Sequence, residues 1–137
     1  QIKSSYPIQI FAHIGRINPL HCTSSGKLLL ANQKESEIDK LLEMDFHRYT
    51  SSTVTNPVIL KEQLKEIKKL GYCYIQNEFI DGIVSIAAPI RDYNKNIIAA
   101  VSLVGPIQRI NGVKAQQFIN KVVEAGKKIS LKMGYRA

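Results

Sequence analysis

The sequence holds 137 residues, 45% of them hydrophobic, and carries a formal net charge of +8. That length supports one buried core and one domain; no apolar run approaches the ~20 residues of a membrane span, and no signal sequence precedes a small-residue cleavage site, so a soluble cytoplasmic protein is expected. Its two cysteines, Cys22 and Cys73, are too few for a disulfide framework and lack paired metal-ligand spacing, which predicts packed, reduced thiols.

In chain order, Tyr6, Ile8, Ile10, Ala12 and Ile14 alternate with Pro7, Gln9, Phe11 and His13, the period of two of a half-buried strand. After Gly15 and a loop through Asn18-Pro19, Thr23 or Ser24 can cap a helix carrying Leu28, Leu29, Leu30 and Ala31. A second short helix is predicted with Ile38, Leu41 and Leu42 on one face, and Glu35 and Glu37 suit its N-terminus. The Ser/Thr-rich connector YTSSTVTN (49–56) leads to a third helix, capped by Asn56, opened by Pro57, buried along Leu60, Leu64 and Ile67, and stopped at Gly71.

Strand character follows in Tyr72–Ile75, Ile83–Ile90 and Ile97–Gly105. The turn-rich Asp92-Tyr93-Asn94-Lys95-Asn96 predicts an antiparallel hairpin between the last two. Pro89 removes one ladder donor, so that strand should be irregular or at an edge there. Asn111 caps a long closing helix that ends at Gly134. The order predicts an α+β domain with an antiparallel sheet and flanking helices.

The charge is concentrated. Residues 111–137 carry Lys114, Lys121, Lys127, Lys128, Lys132 and Arg136 against Glu124 alone, a local +5. Lys114, Lys121, Lys128 and Lys132 form a row beside the apolar stripe Phe118, Val122, Ala125, Ile129 and Met133. This reads as a solvated flank whose aliphatic stems cover the core edge, because a single-strand binder would interleave aromatic residues.

Ser24-Ser25-Gly26-Lys27 resembles the end of a phosphate-cradling loop, G-x-x-x-x-G-K-[ST]. The first glycine position is His21 and the residue after Lys27 is Leu28, so both requirements fail. What survives is more general: hydroxyl residues and free amides at a helix N-terminus suit an anion, including a carboxylate. The alternative is that Thr23, Ser24 and Ser25 are only caps.

Alternation in the hairpin places Val84, Ile86, Ala88 and Ile90 on one face, and Ser85 and Ala87 on the other. On the partner strand Ala100, Ser102 and Val104 share a face. A turn over 92–95 would set Ser85 opposite Ser102. One sheet face is thus bulky, and the other is small and hydroxyl-bearing, open either to a close helix or to a ligand. Catalytic patterns are thin. Cys22 beside His21 lacks an orienting third residue. His13, His21 and His47 lack metal spacing. Asp45, Glu78 and Asp81 form no acid/base pair, and Glu78 reads as a solvated carboxylate.

Three ordered segments resemble the IclR-type transcriptional regulators: GRINPLHCTSSGKLLLA (15–31), KKLGYCYIQNEFIDGIVSIAAPIRDYNKNIIAAVSLVGPIQRI (68–110) and KKISLKMGY (127–135). RINPL and KMGY look closest to the KdgR-type branch. The resemblance implies a GAF-like effector-binding domain over 1–137, trimmed at its N-terminus, with the winged helix-turn-helix that reads DNA absent from this chain. It implies no enzyme activity, no cofactor and no membrane contact. Its implied partners are a small organic acid, a second copy in a homodimer or homotetramer, and DNA only through the absent domain.

Carried over by position, Ser24 and Ser25 fall on the loop that meets the carboxylate, Ser85 stands where many members have cysteine, and Ser102 matches the first serine of S-[IV]-S. Val104 replaces the second serine, and Ile75 stands where an acidic residue is common. The resemblance therefore implies a more apolar pocket here. A ligand-free assembly domain with a closed pocket is the alternative.

Overall fold

The computed structural model of the chain describes residues 19–136, and the strand expected over 6–14 lies outside them. Among the described residues the order is α1 (Ser24–Ala31), α2 (Glu35–Leu41), α3 (Pro57–Leu70), β1 (Cys73–Gln76), β2 (Ile83–Arg91), β3 (Ile97–Pro106) and α4 (Gly112–Lys132). Local chemistry sets most of these bounds. Thr23 caps α1, its side chain accepting from the Gly26 amide at 3.2 Å. Asn56 Oδ1 accepts from the Val58 and Ile59 amides, Pro57 opens α3 with a preset φ, and Gly71 ends it in the left-handed region at φ 81°.

The sheet is antiparallel in the order β1-β2-β3, which makes the domain α+β. One face carries Val84, Ile86 and Ala88 with Val101 and Leu103, and packs against Ile119 and Val122 of α4. The other carries Cys73, Ile75, Ala87 and Ala100, and packs against Leu28, Leu30, Leu60, Leu64 and Ile67 of α1 and α3. The two faces are those expected from the alternation.

The register differs from expectation. Ser85 lies opposite Val104, and Ser102 opposite Ala87, because the turn runs over Asp92–Asn96 and the ladder shifts between Ile90 and Arg91. The slip is two residues, an even number, so Ser85 and Ser102 keep their face. Pairing with β1 ends at Ala87, so Pro89 lies on a stretch of β2 whose partner among the described residues is β3 alone, beside the irregularity.

The buried stripe of α4 is also rotated. Ile119, Val122, Gly126 and Ser130 face the sheet, while Ile129 and Met133 are exposed. At Gly126 an added Cβ would stand 2.8 Å from the Pro89 carbonyl oxygen, so only glycine allows this approach. Ser130 Oγ donates to the Gly126 carbonyl at 2.7 Å and accepts the Arg91 amide at 2.9 Å, which ties the helix to the end of β2. Small and hydroxyl residues make this contact, so an apolar stripe could not reveal it.

Candidate functional site

The N-terminus of α1 lies over the small-residue face of the sheet. Thr23 Oγ1 donates to the Pro19 carbonyl at 2.7 Å while accepting from Gly26, which fixes the entry to the helix. A Cβ at Gly26 would come within 2.7 Å of the Leu20 Cα and carbonyl oxygen. The glycine of the Gly26-Lys27 pair therefore serves close packing of helix against loop. The amides of Ser24 and Ser25 have no acceptor within the helix.

Ser24 is 1% exposed, and its Oγ is hydrogen-bonded to Ser85 Oγ on β2. The sheet continues this site sideways: Ile75, Ser85 and Val104 form one cross-strand row, and Cys73, Ala87 and Ser102 the next. Of the residues singled out from sequence, Ser24, Ser85 and Ile75 are thus brought together. Ser25 is half-buried beside Ser24. Ser102 and Val104 share the face but are exposed, Val104 by 44%.

Lys27, one helical turn beyond Ser24, is fully buried. Its Nζ donates to Glu78 Oε1 at 2.5 Å and to Gln63 Oε1 at 2.6 Å. Glu78 is only 8% exposed, which corrects the expectation of a solvated carboxylate: a buried acid is tolerated here because a buried ammonium neutralises it. The turn carrying Glu78 is held from outside. Thr50 Oγ1 donates to the Asn77 carbonyl at 2.5 Å and Thr53 Oγ1 to the Glu78 carbonyl at 2.6 Å. Arg48 closes the threonine loop on itself through the Ser51 and Thr53 carbonyls. The YTSSTVTN segment is therefore a built support, which its polar composition alone did not reveal.

Burial pushes the Cys22 thiol up to about 11, with the Glu78 carboxylate adding to the effect. Burial likewise pushes Cys73 up to about 12. Both stay protonated at neutral pH, the opposite of an activated nucleophile. His21 Nε2 donates to the His47 carbonyl at 2.8 Å, and its ring packs on Phe46 and Tyr49. The ring nitrogen that meets a partner is thus committed to backbone. Among the described residues no group of three or more His, Cys, Asp or Glu could hold a metal ion, and no helix is long and apolar enough to cross a membrane.

An antiparallel sheet with a small-residue face under a capped helix defines a domain of α+β class. Residues 1–131 match the family described as "Bacterial transcriptional regulator IclR C-terminal", and the chain belongs to that family. It is 35% identical over 135 residues to the transcriptional repressor IclR of Escherichia coli, covering 98% of this chain and 49% of that protein. The C-terminal domain of E. coli KdgR superposes with a TM-score of 0.82 at 33% identity, covering 97% of this chain and 82% of that one. The inducer-binding domain of a PobR double mutant from Acinetobacter, in complex with 3-hydroxybenzoic acid, superposes with a TM-score of 0.76 at 25% identity over 89% of this chain and 69% of that one. The chain spans about half the length of these curated relatives. Those relatives are transcriptional regulators rather than enzymes.

Proposed function

We propose that this chain is the effector-sensing domain of a transcriptional regulator, binding a small organic acid between the N-terminus of α1 and the Ser/Ala face of the sheet. The observation that carries this is the meeting of Ser24 with Ser85: two hydroxyls lie together at the first turn of a helix, whose amides have no acceptor within the helix, and such a setting suits a carboxylate. Ser25 belongs to the same rim, Ile75 and Val104 supply apolar walls, and Ser102 extends the polar row. The acid-bearing PobR relative supports the ligand class. The ligand need only bind two domain arrangements unequally. A coupling of about 1–3 kcal/mol would change operator occupancy roughly 5- to 150-fold, exerted through a DNA-reading domain and a dimer or tetramer of the whole cytoplasmic protein.

A second reading is a closed assembly domain, favoured by the same bond, since Ser24 and Ser85 already satisfy each other. A thermal-shift screen with pyruvate, glyoxylate, sugar acids and 3-hydroxybenzoate separates the two. A ligand at 100 times its dissociation constant stabilises the fold by about 2.7 kcal/mol, a shift of several degrees. Sensing predicts a selective shift that is lost in Ser24→Ala and Ser85→Val. Silence across the panel from the folded protein favours the closed domain.

A further inference from the structure

We propose that the buried Lys27–Glu78 ion pair is a positioning element of the candidate ligand site: by tying α1 to the β1–β2 turn, it fixes the roll of the helix that sets Ser24 over Ser85. This rests on the ligand-site reading above. Ser24 and Lys27 are three residues apart and so share one face of α1. The first meets β2 at Ser85, and the second meets the β1–β2 turn at Glu78 and α3 at Gln63. Apolar packing of Leu28 and Leu30 holds α1 on the sheet, and the two polar contacts, made to different elements, set its roll more finely than that packing does.

Stability alone is weak ground for such a pair. Burying two charges is costly, and an apolar pair of similar volume is often as stable or more so. An apolar pair, however, tolerates sliding, while an ammonium between two fixed acceptors does not. The acceptors are themselves fixed. Glu78 projects from backbone clamped by Thr50 and Thr53, and Gln63 sits on α3 beside the buried Leu60 and Leu64. The geometry thus carries orientation from the threonine loop, through Glu78 and Lys27, to Ser24.

The test is amide hydrogen exchange on the whole 137-residue chain, without ligand, in Lys27→Met/Glu78→Leu. The expected result is an unfolding midpoint at or above that of the parent, with exchange in α1 faster by about tenfold while α3 and α4 are unchanged. Parent-like exchange in α1 overturns the proposal. So does a uniform rise in all helices with a lowered midpoint, which marks a purely structural pair. Should the double variant not fold, Lys27→Met/Glu78→Gln, which removes both charges and the Lys27 contacts while keeping the volume at position 78, is read by the same two measures with the same two overturning results. Because no ligand is present, silence in the carboxylate screen with the local response intact overturns the ligand reading alone.

Discussion

Gly26 and Lys27 have the look of a phosphate loop for reasons that concern packing and charge burial. Gly26→Ala should cost about 1–3 kcal/mol, because the new methyl meets Leu20 backbone that cannot swing aside; the denaturant midpoint measures this. The thiols give a pH prediction. Cys22 and Cys73 are raised in the fold from an ordinary 9.0 to about 11 and about 12. Their contribution is fully present below about pH 9 and is lost as pH rises through the folded values, because the unfolded chain releases these protons first. Stability should therefore fall between pH 9 and pH 12, less steeply in Cys22→Ala and Cys73→Ala. At this scale the hydroxyls and cysteines were legible from residue type and alternation. The Lys27–Glu78 pair was not: it spans 51 positions, and charged residues far apart in sequence read as surface.

Elements were most legible where their ends carry local signals. Asn56, Pro57 and Gly71 bound α3 as capping chemistry requires, and Asn56→Ala should lower stability by about 1 kcal/mol, read as a shift in the unfolding midpoint. Asn111 precedes α4 but donates to the Ile107 and Gln108 carbonyls in place of capping. The face of α4 was misread for a physical reason, since glycine and serine make its closest contact. Gly126→Ala should push the helix from Pro89 and cost about 1–3 kcal/mol, more than alanine at the exposed Lys127. The hairpin register was misplaced because the irregularity at Ile90/Arg91 is set by pairing between strands, which no single strand records. The faces survived, because their period of two is local.

For the molecule as a whole, charge acts against compactness. The chain carries +8, and the surface pairs among the described residues, Lys61 with Asp39 and Glu35, Lys65–Glu62 and Lys128–Glu124, offset little of the repulsion. Raising ionic strength from about 0.01 M to about 0.15 M shortens the screening length from ~30 Å to ~8 Å. The thermal midpoint should rise over that range, while the buried Lys27–Glu78 pair is affected least.

The sheet divides the interior into two unlike rooms. Toward α4 the packing is apolar and tight, with Ser130 as its buried polar residue; toward α1 lie the buried His21, Ser24, Lys27, Thr50, Thr53 and Glu78. Substitutions that retailor the α1 side leave the packing on α4 untouched, because a strand presents alternate residues to opposite sides. Such a partition lets polar groups be buried and paired on one side without opening the apolar packing on the other.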